Sequence, residues 1–211
     1  MAASQPNVLP PLIGDSQGRY KIRVLGNSGS GKSTVSHQLA SMLDIPLLSL
    51  DELYWQPGWK PMPNNEFRDK IMSFMEKNAS RGWVVDGDYV RMGGAVVHEH
   101  ATDVIWLDPP LMLYFPRLVF RTFRRLIGVE SSCSNGCPES IREVFFSKSS
   151  ILWWCLSQHR VVIDRNSAQM KIWGLEVGSR PPKERKMRRL GGWGSEVTDW
   201  LQSVWKMVKG P

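Results

Sequence analysis

The stretch Gly26-Asn27-Ser28-Gly29-Ser30-Gly31-Lys32-Ser33-Thr34 constrains this chain more than any other, because it satisfies G-x-x-x-x-G-K-[ST] in the context that gives the pattern meaning. Before it, Tyr20-Lys21-Ile22-Arg23-Val24-Leu25 reads as a strand. After it, Val35, Leu39, Met42 and Leu43 share one face of a helix. Glycines let backbone amides turn toward phosphate oxygens that side chains would block. A helix starting near Lys32 adds the partial positive charge of its N-terminus. The expectation is a phosphate loop for ATP, with Lys32 at the β- and γ-phosphates and the Ser33 hydroxyl on Mg²⁺.

The rest of the chain alternates strands and helices. Leu47-Leu48-Ser49-Leu50 reads as a second strand, Gly82-Trp83-Val84-Val85-Asp86 as a third and Asp103-Val104-Ile105-Trp106-Leu107 as a fourth. A helix capped by Asn64 or Asn65 carries Phe67, Ile71, Phe74 and Met75. Another is expected over residues 110–127, kinked at Pro116, and a third over residues 139–158. Residues 164–186 are polar and basic and show no element. Residues 187–190 make a short last strand, and a closing helix shows Val197, Leu201, Val204, Trp205 and Val208 on one face. This alternation predicts an α/β fold with a parallel sheet covered on both faces. Pro6, Pro10, Pro11, Gly14 and Gly18 mark residues 1–19 as a flexible tail ahead of one domain over residues 20–211.

At 211 residues the chain suits a single domain. Its 27 Lys+Arg against 20 Asp+Glu, a formal charge of +7, favour polyanionic partners. Cys133, Cys137 and Cys155 have no C-x-x-C spacing, so reduced thiols are expected and a zinc site is not. No apolar run is long enough for a transmembrane helix, and the N-terminus lacks a signal-peptide pattern. The expectation is a cytoplasmic protein with no membrane partner, the nucleus remaining open. The N-K-x-D guanine motif of GTPases and the L-S-G-G-Q signature of ABC ATPases are missing. A chain of this size with its phosphate loop near residue 30 fits the small kinases of metabolites and nucleotides.

Several segments together resemble the topology modulation proteins, a group of adenylate-kinase-like P-loop proteins. They are residues 26–34, Leu50-Asp51-Glu52-Leu53-Tyr54-Trp55 with Pro57-Gly58-Trp59, Trp83-Val84-Val85-Asp86-Gly87-Asp88-Tyr89, Ala101-Thr102-Asp103-Val104-Ile105-Trp106-Leu107-Asp108 and Gly136-Cys137-Pro138-Glu139. The resemblance covers residues 20–160. It implies a nucleotide-kinase-like P-loop NTPase fold, with five parallel strands in the order 2-3-1-4-5 and a small mobile helical lid, set at about residues 117–142. The group usually carries Asn where this chain has Asp88, and the match weakens after Arg160.

Ligands of open α/β sheets bind beyond the carboxyl ends of the strands. Asp51 and Asp86 stand there, Asp51 as acceptor-orienting residue or base and Asp86 as the Walker-B-like carboxylate on Mg²⁺. Asp108 reads as a turn residue. Tyr54, Trp55 and Trp59 offer rings that stack on a base or sugar, and Asp88, Tyr89 and Arg91 extend the acceptor side. Arg117, Arg121, Arg124 and Arg125 share one helix face. Arginines entering a lid neutralise the transferring phosphoryl group, and Arg121 and Arg125 are the candidates, with Arg142 approaching from the other arm. The expected activity is transfer of the ATP γ-phosphate to a small acceptor, a nucleoside or nucleotide. Two alternatives stand beside it. One is a nucleotide-dependent nucleic-acid binder using Arg180, Lys183, Arg185, Lys186, Arg188 and Arg189. The other is an ATP binder without turnover.

Overall fold

The computed structural model describes residues 9–127, 129, 134, 151–193 and 195–210. Five parallel strands form one sheet: β1 (Lys21–Gly26), β2 (Leu47–Ser49), β3 (Trp83–Asp86), β4 (Asp103–Asp108) and β5 (Met187–Gly191). Their order across the sheet is β2-β3-β1-β4-β5, the 2-3-1-4-5 order expected. Register pairs Val24 with Asp86, Ser49 with Asp86 and Gly26 with Leu107. The carboxyl ends of the strands therefore gather along one edge.

Alternation along each strand divides the core. Ile22, Val24, Val84, Ile105 and Leu107 face helix α1 (Lys32–Leu43) and the closing helix α7 (Glu196–Lys209). Leu25, Val85, Val104 and Trp106 face helices α2 (Leu50–Tyr54), α3 (Asn64–Lys77) and α4 (Ala95–His100), together with the later part of α6 (Ile151–Trp173). In α3, Phe67, Ile71 and Met75 recur every four residues and are fully covered. Helix α5 (Leu111–Leu126) runs through Pro116 and packs Tyr114 and Leu118 on Cys155 of α6. A hairpin of Trp55–Gln56 and Lys60–Pro61 lies between α2 and α3.

Several expectations are corrected. Residues 9–19 are docked on the sheet rather than free. Leu12 is 2% exposed, the Asp103 carboxylate accepts from Ile13 N (2.7 Å) and Gly14 N (3.1 Å), and Trp200 Nε1 donates to Pro11 O at 2.9 Å. A strap needs anchors rather than periodicity, so its prolines concealed it. The helix expected to stop at residue 158 continues to Trp173, because Val162, Asn166, Met170 and Trp173 keep one face of a polar segment against the core. Strand β2 ends at Ser49, whose Oγ accepts from Glu52 N at 3.4 Å and starts α2. Helix α3 begins at Asn64 behind Pro63, with no side-chain cap. In α7 the buried residues are Trp200, Leu201 and Val204, while Trp205 is 51% exposed. Residues 1–8, Cys133, the turn at 136–139, Arg142 and the stretch 139–150 lie outside the described residues, as does most of the lid range beyond Leu126. Among the described residues no helix is long and apolar enough to cross a membrane.

Candidate functional site

The phosphate loop leaves β1 at Gly26 and enters α1 through Gly31, which is left-handed at φ 95°. Gly26 stands at φ 149°, and a Cβ there would lie 2.5 Å from Leu107 O and 2.6 Å from Ser30 Oγ. Only glycine fits where the loop crosses the end of β4. Asn27 is the loop's anchor. Its buried amide donates to Tyr114 OH and to Cys155 O, both at 2.9 Å, and its Oδ1 accepts from Ser28 N at 2.8 Å. The Tyr114 hydroxyl is in turn 2.8 Å from His159 Nδ1. The loop is thus fastened to α5 and α6 by side-chain bonds. Lys32 Nζ donates to Asn27 O at 3.0 Å. Thr34 is exposed on the first turn of α1.

Asp86 ends β3 with 4% exposure, and its Oδ1 has no hydrogen-bond partner among the described residues. Burial is the largest influence on its pKa and raises it. Lys32, Ser33 and His37 pull the other way, and the Asp51 charge adds to the rise. These couplings place Lys32, Ser33, Asp51 and Asp86 in one electrostatic neighbourhood. A hydroxyl and a buried carboxylate oxygen lacking a partner are the hard oxygen donors that Mg²⁺ takes, so the residues fit that ion. Among the described residues no group of three His, Cys, Asp or Glu side chains assembles a metal centre.

On the acceptor side Asp51 stands in the first turn of α2 and accepts from Tyr89 OH at 2.7 Å. Tyr54 packs beside Tyr89 and Trp55 at centroid distances of 4.9 and 5.1 Å, and Trp55 meets Trp59 at 5.6 Å. Five of the expected acceptor residues, Asp51, Tyr54, Trp55, Trp59 and Tyr89, therefore form one connected wall. Asp88 turns away from them and pairs with Arg165 and Arg23. Arg91 is exposed on the single 3₁₀ turn Val90–Met92. Asp108 holds Arg189 at 2.6 Å across the ends of β4 and β5.

The arginine face lies on α5. Arg117 is exposed, while Arg121, Arg124 and Arg125 are half-buried. Arg121 and Lys32 both lower the pKa of the Cys155 thiol against the dominant rise from burial, which sets Arg121 on the phosphate-loop side. The second basic cluster is engaged within the fold. Lys186 Nζ donates to the carbonyls of His98, Glu99 and Ala101 at the end of α4. Arg188 donates to Pro10 O, Arg180 pairs with Glu184, and Arg185 donates to Arg180 O.

Sequence reasoning missed Tyr114, His159, Arg23 and Arg165. Arg23 carried a signal, since a lone cation inside an apolar strand must find a buried partner. Arg165 carried none, being one of several charges in a polar stretch.

No family model matches the chain. A curated relative, the "Pentafunctional AROM polypeptide" of Scheffersomyces stipitis, is 30% identical over 108 residues, covering 39% of this chain. The chain spans 7% of the length of that relative. Solved structures with a similar fold include a gluconokinase from Sinorhizobium meliloti 1021, 18% identical with TM-score 0.45 over 90% of this chain and 95% of that one. Shikimate kinase from Acinetobacter baumannii in complex with shikimate is 16% identical with TM-score 0.45, over 90% and 93%. TT1252 from Thermus thermophilus is 16% identical with TM-score 0.50, over 90% and 96%. The last agrees with the architecture described above, a five-stranded parallel sheet flanked by helices.

Proposed function

We propose that this chain is an ATP-dependent phosphotransferase acting on a small hydroxyl-bearing acceptor, with a nucleoside or nucleotide as the favoured class. The observation that carries the reading is the electrostatic neighbourhood of Lys32, Ser33, Asp51 and Asp86 at adjoining strand ends. ATP lies along residues 26–34, with backbone amides and Lys32 on its phosphates. Ser33 and Asp86 would hold Mg²⁺, which offsets phosphate charge when bound. Asp51, oriented by Tyr89, accepts the proton of the acceptor hydroxyl. That oxygen forms a bond to the γ-phosphorus as the bond to the β-phosphate oxygen breaks, and ADP leaves. Arg121 and Arg125 on α5 would neutralise charge on the transferring group beside Lys32. The wall of Tyr54, Trp55 and Trp59 supports the nucleoside class, because rings of this kind stack on bases. The motifs shared with topology modulation proteins support a place beside that group.

The test is ADP release from Mg²⁺-ATP across nucleosides, nucleoside monophosphates and hydroxylated metabolites, gluconate and shikimate among them. One acceptor should stimulate turnover strongly, and Lys32→Ala should abolish it. Acceptor-dependent turnover that survives Lys32→Ala would refute the reading.

A further inference from the structure

Tyr89 sits in the left-handed region at φ 34°, ψ 32°. For a bulky ring that conformation is strained and persists only where the surroundings impose it. The peptide bond before Tyr89 is the lever. Rotating the plane of the Asp88–Tyr89 peptide would carry the φ of Tyr89 out of the left-handed region and swing the Asp88 carbonyl oxygen to the other side. That oxygen is held: Arg23 Nη2 donates to it at 2.5 Å. Arg165 on α6 donates to Asp88 Oδ2, and Arg23 lies 3.8 Å from Asp88 Oδ1. Downstream, Met92 N and Gly94 N both donate to Tyr89 O, at 3.0 and 2.9 Å. Upstream, Gly87 has φ 126°, and a Cβ there would come within 2.9 Å of Leu50 Cβ. Held on both sides, the Tyr89 ring packs 4.9 Å from Tyr54 and 5.4 Å from Phe67, and its hydroxyl reaches Asp51.

Arg23 is a costly way to fill a strand. It is 1% exposed in the middle of the sheet, and its Nε has no partner among the described residues. Burial outweighs the attraction of Asp88 and draws its pKa down to about 10, with Arg165 adding to the fall. An apolar residue there would avoid the desolvation altogether, so stability alone does not account for the arginine.

We propose that Arg23 and Arg165 are positioning residues for the acceptor: through Asp88 they fix the peptide that sets Tyr89 against Asp51. The proposal rests on the reading of Asp51 as the acceptor-orienting carboxylate. It also ties the acceptor wall to α6, the helix whose first turns bind the phosphate loop through Cys155 O. Movement of α6 then reaches both substrates at once.

Arg165 has a side chain 34% exposed, so Arg165→Met keeps the fold more safely than a change at Arg23. The first measurement needs no turnover. Ring ¹H–¹³C signals of Tyr89 in the ligand-free protein, assigned by their loss in Tyr89→Phe, report its contacts with Tyr54 and Phe67. In Arg165→Met these signals should shift or broaden, with loss of at least about half of the nuclear Overhauser intensity to Phe67. If Arg165→Met does not fold, Arg165→Gln is read in the same way. The kinetic measurement uses whichever acceptor the panel identifies. Arg165→Met should lower kcat/KM for it about 10–100-fold, through KM as well as kcat, while Mg²⁺-ADP affinity stays within about twofold. Combined with Tyr89→Phe, the loss should be non-additive. A wild-type protein that turns over no acceptor defeats the kinase reading but leaves the spectroscopic result to decide this one. Unchanged Tyr89 signals, or strictly additive kinetic losses, overturn the proposal.

Discussion

Asp86→Asn should stabilise the ligand-free protein while removing its response to Mg²⁺. The wild-type carboxylate is buried and one oxygen is without a partner among the described residues. Its pKa is raised even after the opposing pull of Lys32, Ser33 and His37, so the neighbours do not fully offset desolvation. The sign follows. A folded-state pKa above the ordinary 3.8 means that the folded form binds a proton the unfolded chain has released. Stability from this group is present in full below 3.8 and is lost as pH rises through the folded value. As pH rises through the folded value the wild type takes on this penalty and the amide does not. An unsatisfied buried group costs about 1–3 kcal/mol, which for a chain of this length moves Tm by about 2–10 °C. Thermal unfolding in EDTA should place Asp86→Asn above wild type at pH 7, with the gap closing as pH falls toward 4. Adding Mg²⁺ and ADP should reverse the order, since a ligand at a hundred times its Kd gives the wild type about 2.7 kcal/mol. A variant less stable than wild type at pH 7 in EDTA, or a gap independent of pH, would show that Asp86 is a satisfied structural carboxylate.

Two further outcomes are expected. Asp103→Ala orphans the amides of Ile13 and Gly14 and should lower stability to urea by about 2–4 kcal/mol, with faster proteolysis within residues 9–19; a loss below about 1 kcal/mol would mean that Leu12 and Trp200 hold the strap unaided. Gly26→Ala sets a methyl group 2.5 Å from Leu107 O, so Mg²⁺-ADP affinity by calorimetry should fall at least about tenfold with circular dichroism little changed. Affinity equal to wild type would show that the loop has room to move aside.

Much of the architecture was legible because it is periodic. Residues 22–25 and 104–107 alternate between the two faces, and Phe67, Ile71 and Met75 repeat at helical spacing, so strands and helices declared themselves. The phosphate loop was legible because its chemistry demands particular residues in a fixed order. What stayed hidden depends on contacts distant in sequence. Leu12 is an unremarkable leucine among prolines until Trp200 and Asp103 meet its segment. Asp88 looked like an acceptor ligand because nothing local announces Arg23 or Arg165, 65 and 77 residues away. The basic run near residue 185 suggested a polyanion surface, yet Lys186 and Arg188 bond to carbonyls that only the fold brings near.

The docked strap has a consequence for how the chain acquires its structure. Two of its partners are separated from it by nearly the whole sequence: Arg188 by 178 residues from Pro10, and Trp200 by 189 from Pro11. During synthesis Leu12 emerges early and must wait for α7, the element that covers the same side of the sheet. Contacts of such separation close late, after the entropy of a very long loop has been met. Until then the face formed by Ile22, Val24, Val84 and Ile105 has α1 over it without α7. A chain in which α7 has not yet docked would display that apolar face, so the interval before α7 packs is the natural one for chaperone capture.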